Sequence, residues 1–341
     1  MSRNTHASTP KAASFRMPAE WEPHERCWMQ WPYRTDFVWP DLARTQAAYA
    51  GVAKAIRRFE PVTMVVSEQA LQHTKSLCGS EIDYFVAPLD DSWARDSGPT
   101  FVKCGDELAA SVFQFNAWGG KYRRCRNDAA LGHRIAEALG IRTFSANVFL
   151  EGGAIAVDGE GTIMTSEQCI LNANRNPGLT KLEAEQILCD ALGGEKVLWV
   201  PGDPEDCETD GHIDALVCFV KPGVVLCAVG SDALPERRKY LEENWKALAS
   251  ATDAKGRRLE LVAIEEAFDA ESTTEIYCRS YVNFYIANGG IVFPSFGTAQ
   301  DEPAQDIVRK LFPDRVLVPV AVADIAPGGG GVHCITQQQP A

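Results

Sequence analysis

The chain has 341 residues, 45% of them hydrophobic, which is enough apolar material for a substantial core and excludes a disordered protein. Its formal net charge of −13 and isoelectric point near 5.0 repel phosphate backbones, so nucleic acid is not expected as a partner, whereas a small cation is admitted. Eleven cysteines at irregular spacing, without a C-x-x-C pair, point away from a disulfide framework or a zinc ribbon and toward a reducing, cytoplasmic setting.

Residues 1–16 are small and polar and are expected to form a disordered tail, with order beginning at Met17-Pro18-Ala19-Glu20-Trp21 and a single domain over 17–341. No segment is apolar enough for a signal h-region or a membrane span, so no membrane partner is expected. From residue 17 onward, short apolar runs alternate with amphipathic stretches of helical period, the pattern of an α/β protein. Strands are predicted over 27–31, 62–66, 84–87, 111–115, 154–157, 197–200, 216–220, 224–229, 259–264, 281–286 and 316–320. Helices are predicted over 41–59, 67–77, 127–139, 180–192, 235–249 and 304–312. Ser67 before Glu68 reads as a helix cap, and Thr180 with Glu183 has capping-box spacing. The helices recur every 50–60 residues without a repeated motif, a rhythm that fits either a repeat architecture or a doubly wound sheet.

Four segments carry residues suited to chemistry. Near the C-terminus, Gly328-Gly329-Gly330-Gly331 precede Val332-His333-Cys334, and the glycines allow the close backbone approach that projects a cysteine into a site. No Lys-Ser/Thr follows, so a phosphate loop is excluded. A buried, inert thiol is the alternative for a cysteine taken alone. His212-Ile213-Asp214 stands directly before the apolar run from Leu216, and if it enters that strand the imidazole and the carboxylate share a face. Cys207 is near in sequence, but no second pair completes a zinc set, and no metal is expected. Trp93-Ala94-Arg95-Asp96-Ser97-Gly98-Pro99 and Leu150-Glu151-Gly152-Gly153 each set a carboxylate beside glycine or proline. Either one alone reads as a solvated turn. With the first two they assemble three carboxylates, a base and a nucleophile.

These segments, with Met17 to Glu25, Asn116-Ala117-Trp118-Gly119-Gly120-Lys121-Tyr122 and Leu171 to Gly178, resemble those of the agmatine deiminase family within the guanidine-modifying superfamily. The resemblance runs from about residue 17 to the end. It implies an α/β propeller of five ββαβ modules, the pentein type, around a pseudo-fivefold axis with a central active-site channel, and it implies no cofactor. It further implies Cys334 as nucleophile, His212 as general acid and base, Glu151 as the residue that orients His212, and Asp96 and Asp214 as the carboxylates holding a guanidinium. Glu208, Trp93 and Trp118 are added as candidate substrate contacts, Glu208 for the distal amine of agmatine. The other cysteines, Cys169 and Cys278 among them, are expected to pack as small hydrophobes. A homodimer is expected from the prevalence of symmetric homo-oligomers.

The chemistry supports such a site. A guanidinium is planar and permanently charged, so carboxylates must hold its charge while a thiolate, the strongest nucleophile available without a metal, attacks its carbon. Deimination of arginine or a methylated arginine is the near alternative; it would require an arginine for the α-carboxylate, with Arg95, Arg123, Arg124, Arg126 and Arg175 as candidates. A Cys-His amide hydrolase and a non-enzymatic polyamine-binding protein with an aromatic cage are the more distant ones.

Overall fold

The computed structural model describes residues 9–34 and 39–341. Its architecture is α/β, made of five small sheets rather than one wound sheet. In the first, β1 (His24–Gln30) runs parallel to β2 (Val62–Val66) through the helix Leu42–Arg57, and β3 (Asp83–Val86) extends the sheet after the helix Leu71–Cys78. The next four share one plan: an antiparallel hairpin, a crossover helix, and a return strand parallel to the hairpin's second strand. They are β4 (Thr100–Cys104), β5 (Glu107–Gln114) and β6 (Arg142–Phe149); then β7 (Ala156–Val157), β8 (Thr162–Ser166) and β9 (Lys196–Val200). After them come β10 (Val217–Lys221), β11 (Val224–Val229) and β12 (Glu260–Glu265), and finally β13 (Tyr285–Ala287), β14 (Gly290–Ser295) and β15 (Val316–Ala321). The last strand, β16 (Thr336–Pro340), pairs antiparallel with β1 and gives the first sheet the hairpin partner that its sisters carry in sequence. The 50–60-residue rhythm is thus the period of this unit.

Burial explains which segments became which strand. The middle strands β2 and β8 are buried at every residue, and β11 and β14 at all but the last, so these strands are covered on both faces. Helices start and stop by local chemistry. Asp41 accepts from the backbone N–H groups of Ala43 and Arg44, and Thr180 and Glu183 close the expected capping box. Gly193 ends that helix in the left-handed conformation, and Pro235 opens the next at its first turn.

The structure corrects several expectations. The segment 1–8 of the expected tail lies outside the described residues; from Thr9 the chain is ordered, because Phe15 is buried against Phe144 and Arg16 bridges Lys103. Ser67 caps nothing: the helix begins at Leu71 after Ala70. The predicted strand 154–157 is a 3-10 turn at Gly152–Ala154 followed by the two-residue β7, and 281–286 is strand only from Tyr285. The predicted helix 127–139 breaks at Ala130 into Arg126–Ala129 and Leu131–Leu139. Strands β4, β6, β8, β14 and β16 went unread. β14 contains Pro294, and β16 is Thr-Gln-Gln-Gln-Pro, which has no apolar periodicity yet is buried throughout.

The five connections between successive sheets are where the chemistry collects. Asp96 lies between β3 and β4, Glu151 between β6 and β7, His212 and Asp214 between β9 and β10, Asn283 between β12 and β13, and Cys334 between β15 and β16. No helix among the described residues is long and apolar enough to cross a membrane.

Candidate active site

His212 and Asp214 do not alternate along a strand. His212 caps a single 3-10 turn, Ile213–Ala215, that contains Asp214, and both side chains line one cavity with the thiol. Asp214 Oδ2 lies 3.5 Å from Cys334 Sγ. Asp96 sits on the one-turn helix Ala94–Ser97, where Oδ1 accepts from the Gly153 N–H at 3.0 Å and Oδ2 from Trp118 Nε1 at 2.9 Å. His212 Nδ1 faces Asp96 Oδ1 at 3.8 Å, and its Nε2 meets Glu151 Oε2 at 3.2 Å. All five groups, Cys334, His212, Asp214, Asp96 and Glu151, are buried.

Gly153 marks the point on which three of them converge. A β-carbon built there would stand 2.6 Å from His212 Nδ1, 2.8 Å from Asp96 Oδ1 and 3.1 Å from Asp214 Oδ2. Only a glycine leaves room for these three groups to face one small planar object. His212 Nδ1 and Asp214 Oδ1 are buried without a hydrogen-bond partner among the described residues, so a donor-rich cation would satisfy the carboxylate. A cavity of about 130 Å³ opens on His212, Asp214 and Cys334 and is lined farther out by Asp206, Ile276 and Tyr277.

The glycine run behaves as its composition suggests. Gly329 has φ +92°, and a side chain at Gly330 would strike the Trp93 ring and Cys334 Cβ. Trp93 therefore packs against the loop, with Trp39 at 5.6 Å between ring centroids, while Trp118 donates a hydrogen bond to Asp96. Glu208 packs behind Gly329 and accepts a hydrogen bond from Tyr122 at 2.8 Å.

Electrostatics divide the acids. Burial alone would raise Glu151, but the hydrogen bond from His212 and the charge of Arg175, whose Nε donates to Oε1 at 2.9 Å, hold it below the usual carboxylate range. Asp214 is likewise held down against burial, first by His333 and then by His212 and Arg95. Asp96 is raised by burial and by its acidic neighbours Asp214 and Glu151 despite His212. Burial works against a charged His212, yet Asp96, Cys169 and Glu151 lift it well above the ordinary imidazole range. The Cys334 thiol is pushed well up by burial and by Asp214 and Asp96.

Further side chains complete the site. His333 bridges Asp214 Oδ2 and Glu20 Oε1, each at 2.8 Å, so both ring nitrogens face carboxylates and both must carry protons. Arg175, considered only as a partner for a substrate carboxylate, is fully engaged by Glu151, Asp210 and the Thr209 carbonyl. Cys169 is not merely packing: its sulfur lies 3.7 Å from Glu151 Oε2, and Glu151, Cys169 and His212 place one potential ligand atom each within 4.8 Å of one another. That set suits a metal poorly, because Arg175 already neutralises Glu151, and His212 Nε2 and the Cys169 sulfur both face its other oxygen. Cys278 lines the cavity wall. Asn283 donates from Nδ2 to Cys334 Sγ at 3.2 Å.

Residues 16–340 match the family described as Porphyromonas-type peptidyl-arginine deiminase. The agmatine deiminase of Stutzerimonas stutzeri (strain A1501) is 42% identical, covering 99% of this chain and 98% of its own. That of Pseudomonas aeruginosa (strain LESB58) is also 42% identical, covering 98% of each. The solved structure of the agmatine deiminase of Enterococcus faecalis superposes with a TM-score of 0.95 at 36% identity, over 100% of this chain and 99% of that one. An amidinotransferase from Microseira wollei, at 11% identity and a TM-score of 0.53, shares the α/β fold alone.

Proposed function

The chain belongs to the Porphyromonas-type peptidyl-arginine deiminase family, and from that premise we propose that it hydrolyses agmatine to N-carbamoylputrescine and ammonia through a covalent intermediate on Cys334. The observation that carries the proposal is the convergence of an imidazole and two carboxylates on the space over Gly153, with the Cys334 thiol 3.5 Å from one of those carboxylates.

Asp96 and Asp214 grip the guanidinium through charge-assisted hydrogen bonds, each worth about 1.5–3 kcal/mol where water is excluded. The Cys334 thiolate adds to the guanidinium carbon, giving a neutral tetrahedral adduct. His212, as imidazolium, protonates one amino group, which leaves as ammonia, and a cationic thiouronium remains on the sulfur. Neutral His212 then takes a proton from water as the hydroxide adds to the same carbon. Collapse of the second adduct expels the thiolate, and loss of the hydroxyl proton leaves the ureido product. Glu151 serves by holding and charging His212.

The acids that grip the substrate also suppress the nucleophile, because Cys334 is raised by Asp214 and Asp96 beyond its burial. A bound guanidinium reverses this charge balance, so the substrate itself generates the thiolate. Agmatine is favoured over arginine because relatives of 42% identity over nearly the whole chain are agmatine deiminases. Arg175 is held by Glu151 and Arg237 lies between Asp203 and Glu266, which leaves neither of these two to meet an α-carboxylate.

The five sheets, each with its site segment in the connection to the next, support an arrangement of five modules around a pseudo-fivefold axis, acting as one catalytic unit with the site at its centre. The unpaired state of all eleven cysteines supports a cytoplasmic setting, and the prevalence of twofold assemblies supports a homodimer. Ammonia release, assayed with chelator present, tests the activity: it is fast with agmatine and near background with arginine. Comparable rates would overturn the substrate assignment.

A further inference from the structure

Each of the five connections between sheets brings side chains to the site; the one between β12 and β13 brings, besides the cavity-lining Cys278, a neutral amide, Asn283, which is completely buried. Its orientation is fixed by its surroundings. Oδ1 accepts the backbone N–H groups of His333 at 3.0 Å and Cys334 at 3.3 Å, so the opposite edge must be the amide nitrogen. That nitrogen donates to the Asp214 carbonyl at 3.3 Å and to Cys334 Sγ at 3.2 Å. A flipped amide would aim donors at donors and its oxygen at a carbonyl and a sulfur.

We infer that Asn283 is a catalytic residue: its N–H donates into the sulfur of Cys334, stabilises the thiolate and fixes the direction of its attack. The inference rests on the covalent reading above. Two side chains meet the sulfur with opposite effect, and the Gly331 backbone N–H adds to the favourable one. Asp214 Oδ2, at 3.5 Å, accepts from the thiol and repels the thiolate; Asn283 Nδ2 favours the thiolate. When a guanidinium engages Asp214, the donor is left as the dominant partner of the sulfur. An uncharged donor suits the position, since a lysine or arginine there would neutralise Asp214 and repel the cationic substrate. Gly331 is part of the same device, because a β-carbon on it would stand 2.6 Å from Asn283 Oδ1.

The test is Asn283→Asp, which keeps an oxygen for the two backbone N–H groups and replaces the donor by an acceptor of the same shape. Alkylation of Cys334 by iodoacetamide, located by peptide mass mapping in protein without agmatine, is followed from pH 7 to 10. N283D is expected to slow alkylation at pH 8.5 about ten-fold and to displace the profile to higher pH, with kcat for agmatine falling by more than KM rises. A profile that superposes on that of the unmodified protein overturns the inference. Should N283D not fold, Asn283→Ala carries the same expectation and the same overturning result. Because alkylation uses no substrate, failure of the unmodified protein to release ammonia from agmatine would count against the deiminase reading and leave the role of Asn283 still measured.

Discussion

Asp214 Oδ2 stands 3.5 Å from the sulfur of Cys334. A carboxylate so close, within a buried site, opposes ionisation of the thiol, and in the proposed reaction it is at the same time one of the two groups that hold the substrate. Its removal should therefore separate reactivity from turnover. Asp214→Asn lowers the Cys334 pKa, so iodoacetamide alkylates the substrate-free protein faster at pH 7.5, while agmatine turnover falls by ~100-fold or more through loss of positioning. Slower alkylation in D214N would contradict the account of the raised thiol.

Gly153 offers a steric test of where the substrate sits. A methyl group there meets His212, Asp96 and Asp214 at 2.6, 2.8 and 3.1 Å, all side-chain atoms that face the site. Gly153→Ala should cost about 1–3 kcal/mol in stability from overpacking. Its kcat/KM should fall on the order of 100-fold, since displacement of reacting groups by ~1 Å has that effect. Thermal melting with and without agmatine distinguishes the two losses: the ligand-induced rise in melting temperature disappears while the apo protein still melts cooperatively. An unchanged KM in G153A would move the binding site elsewhere.

The pH dependence of turnover follows from Glu151. Among the groups that lift His212 against its burial is the Glu151 carboxylate at 3.2 Å, and the proposed first step needs His212 protonated. Glu151→Gln removes that charge, so the folded His212 pKa falls, and the alkaline limb of kcat/KM moves to lower pH by about one unit or more. The variant also leaves Arg175 with a neutral partner in place of an anion, which adds a stability loss of about 3 kcal/mol. An alkaline limb that stays in place would remove Glu151 from the control of His212.

How much of this was legible depended on the residue type. Cys334, His212, Asp214, Asp96 and Glu151 announce themselves because titratable side chains beside glycines have little structural reason to occur together. Asn283 lies in Ser280-Tyr281-Val282-Asn283-Phe284, where a neutral amide in an apolar run looks like one polar residue of a strand. The rhythm of the chain held the missing signal: with site residues in four of the connections between repeating units, the fifth was the place to search. The five-sheet organisation itself was hidden by strand β16, whose glutamines satisfy one another's neighbours rather than an apolar face; Gln339 accepts from Trp28 and Gln337 donates to the Pro99 carbonyl. Pairing that joins residue 24 to residue 340 has no local signature.

Behind the site, His333 links Asp214 to Glu20, and this chain should be visible in stability against pH. Burial opposes the charge on Glu20, but His333 and Arg95 lower its pKa to about 2 in the folded protein. A depressed carboxylate contributes stability above its unfolded value of about 4.3 and loses that contribution as pH falls toward 2. His333 has the opposite sign. Burial and Arg95 oppose its charge, yet Glu20 and Asp214 raise it, so its contribution is complete below the unfolded value of about 6.5 and is lost as pH rises through the raised folded value. Glu20→Gln should therefore be less stable at pH 6 by at most about 3 kcal/mol, with the difference from the unmodified protein closing between pH 4.3 and 2. Urea midpoints across pH 2–8 measure this difference directly. Two curves running parallel over that range would mean that Glu20 is not ionised against His333, and the imidazole would then have only Asp214 to hold its charge. In Glu20→Gln the imidazole gives up its proton more readily and Asp214 loses part of what keeps it anionic before the substrate arrives, so this substitution, which has no contact to the cavity, should also raise the KM for agmatine.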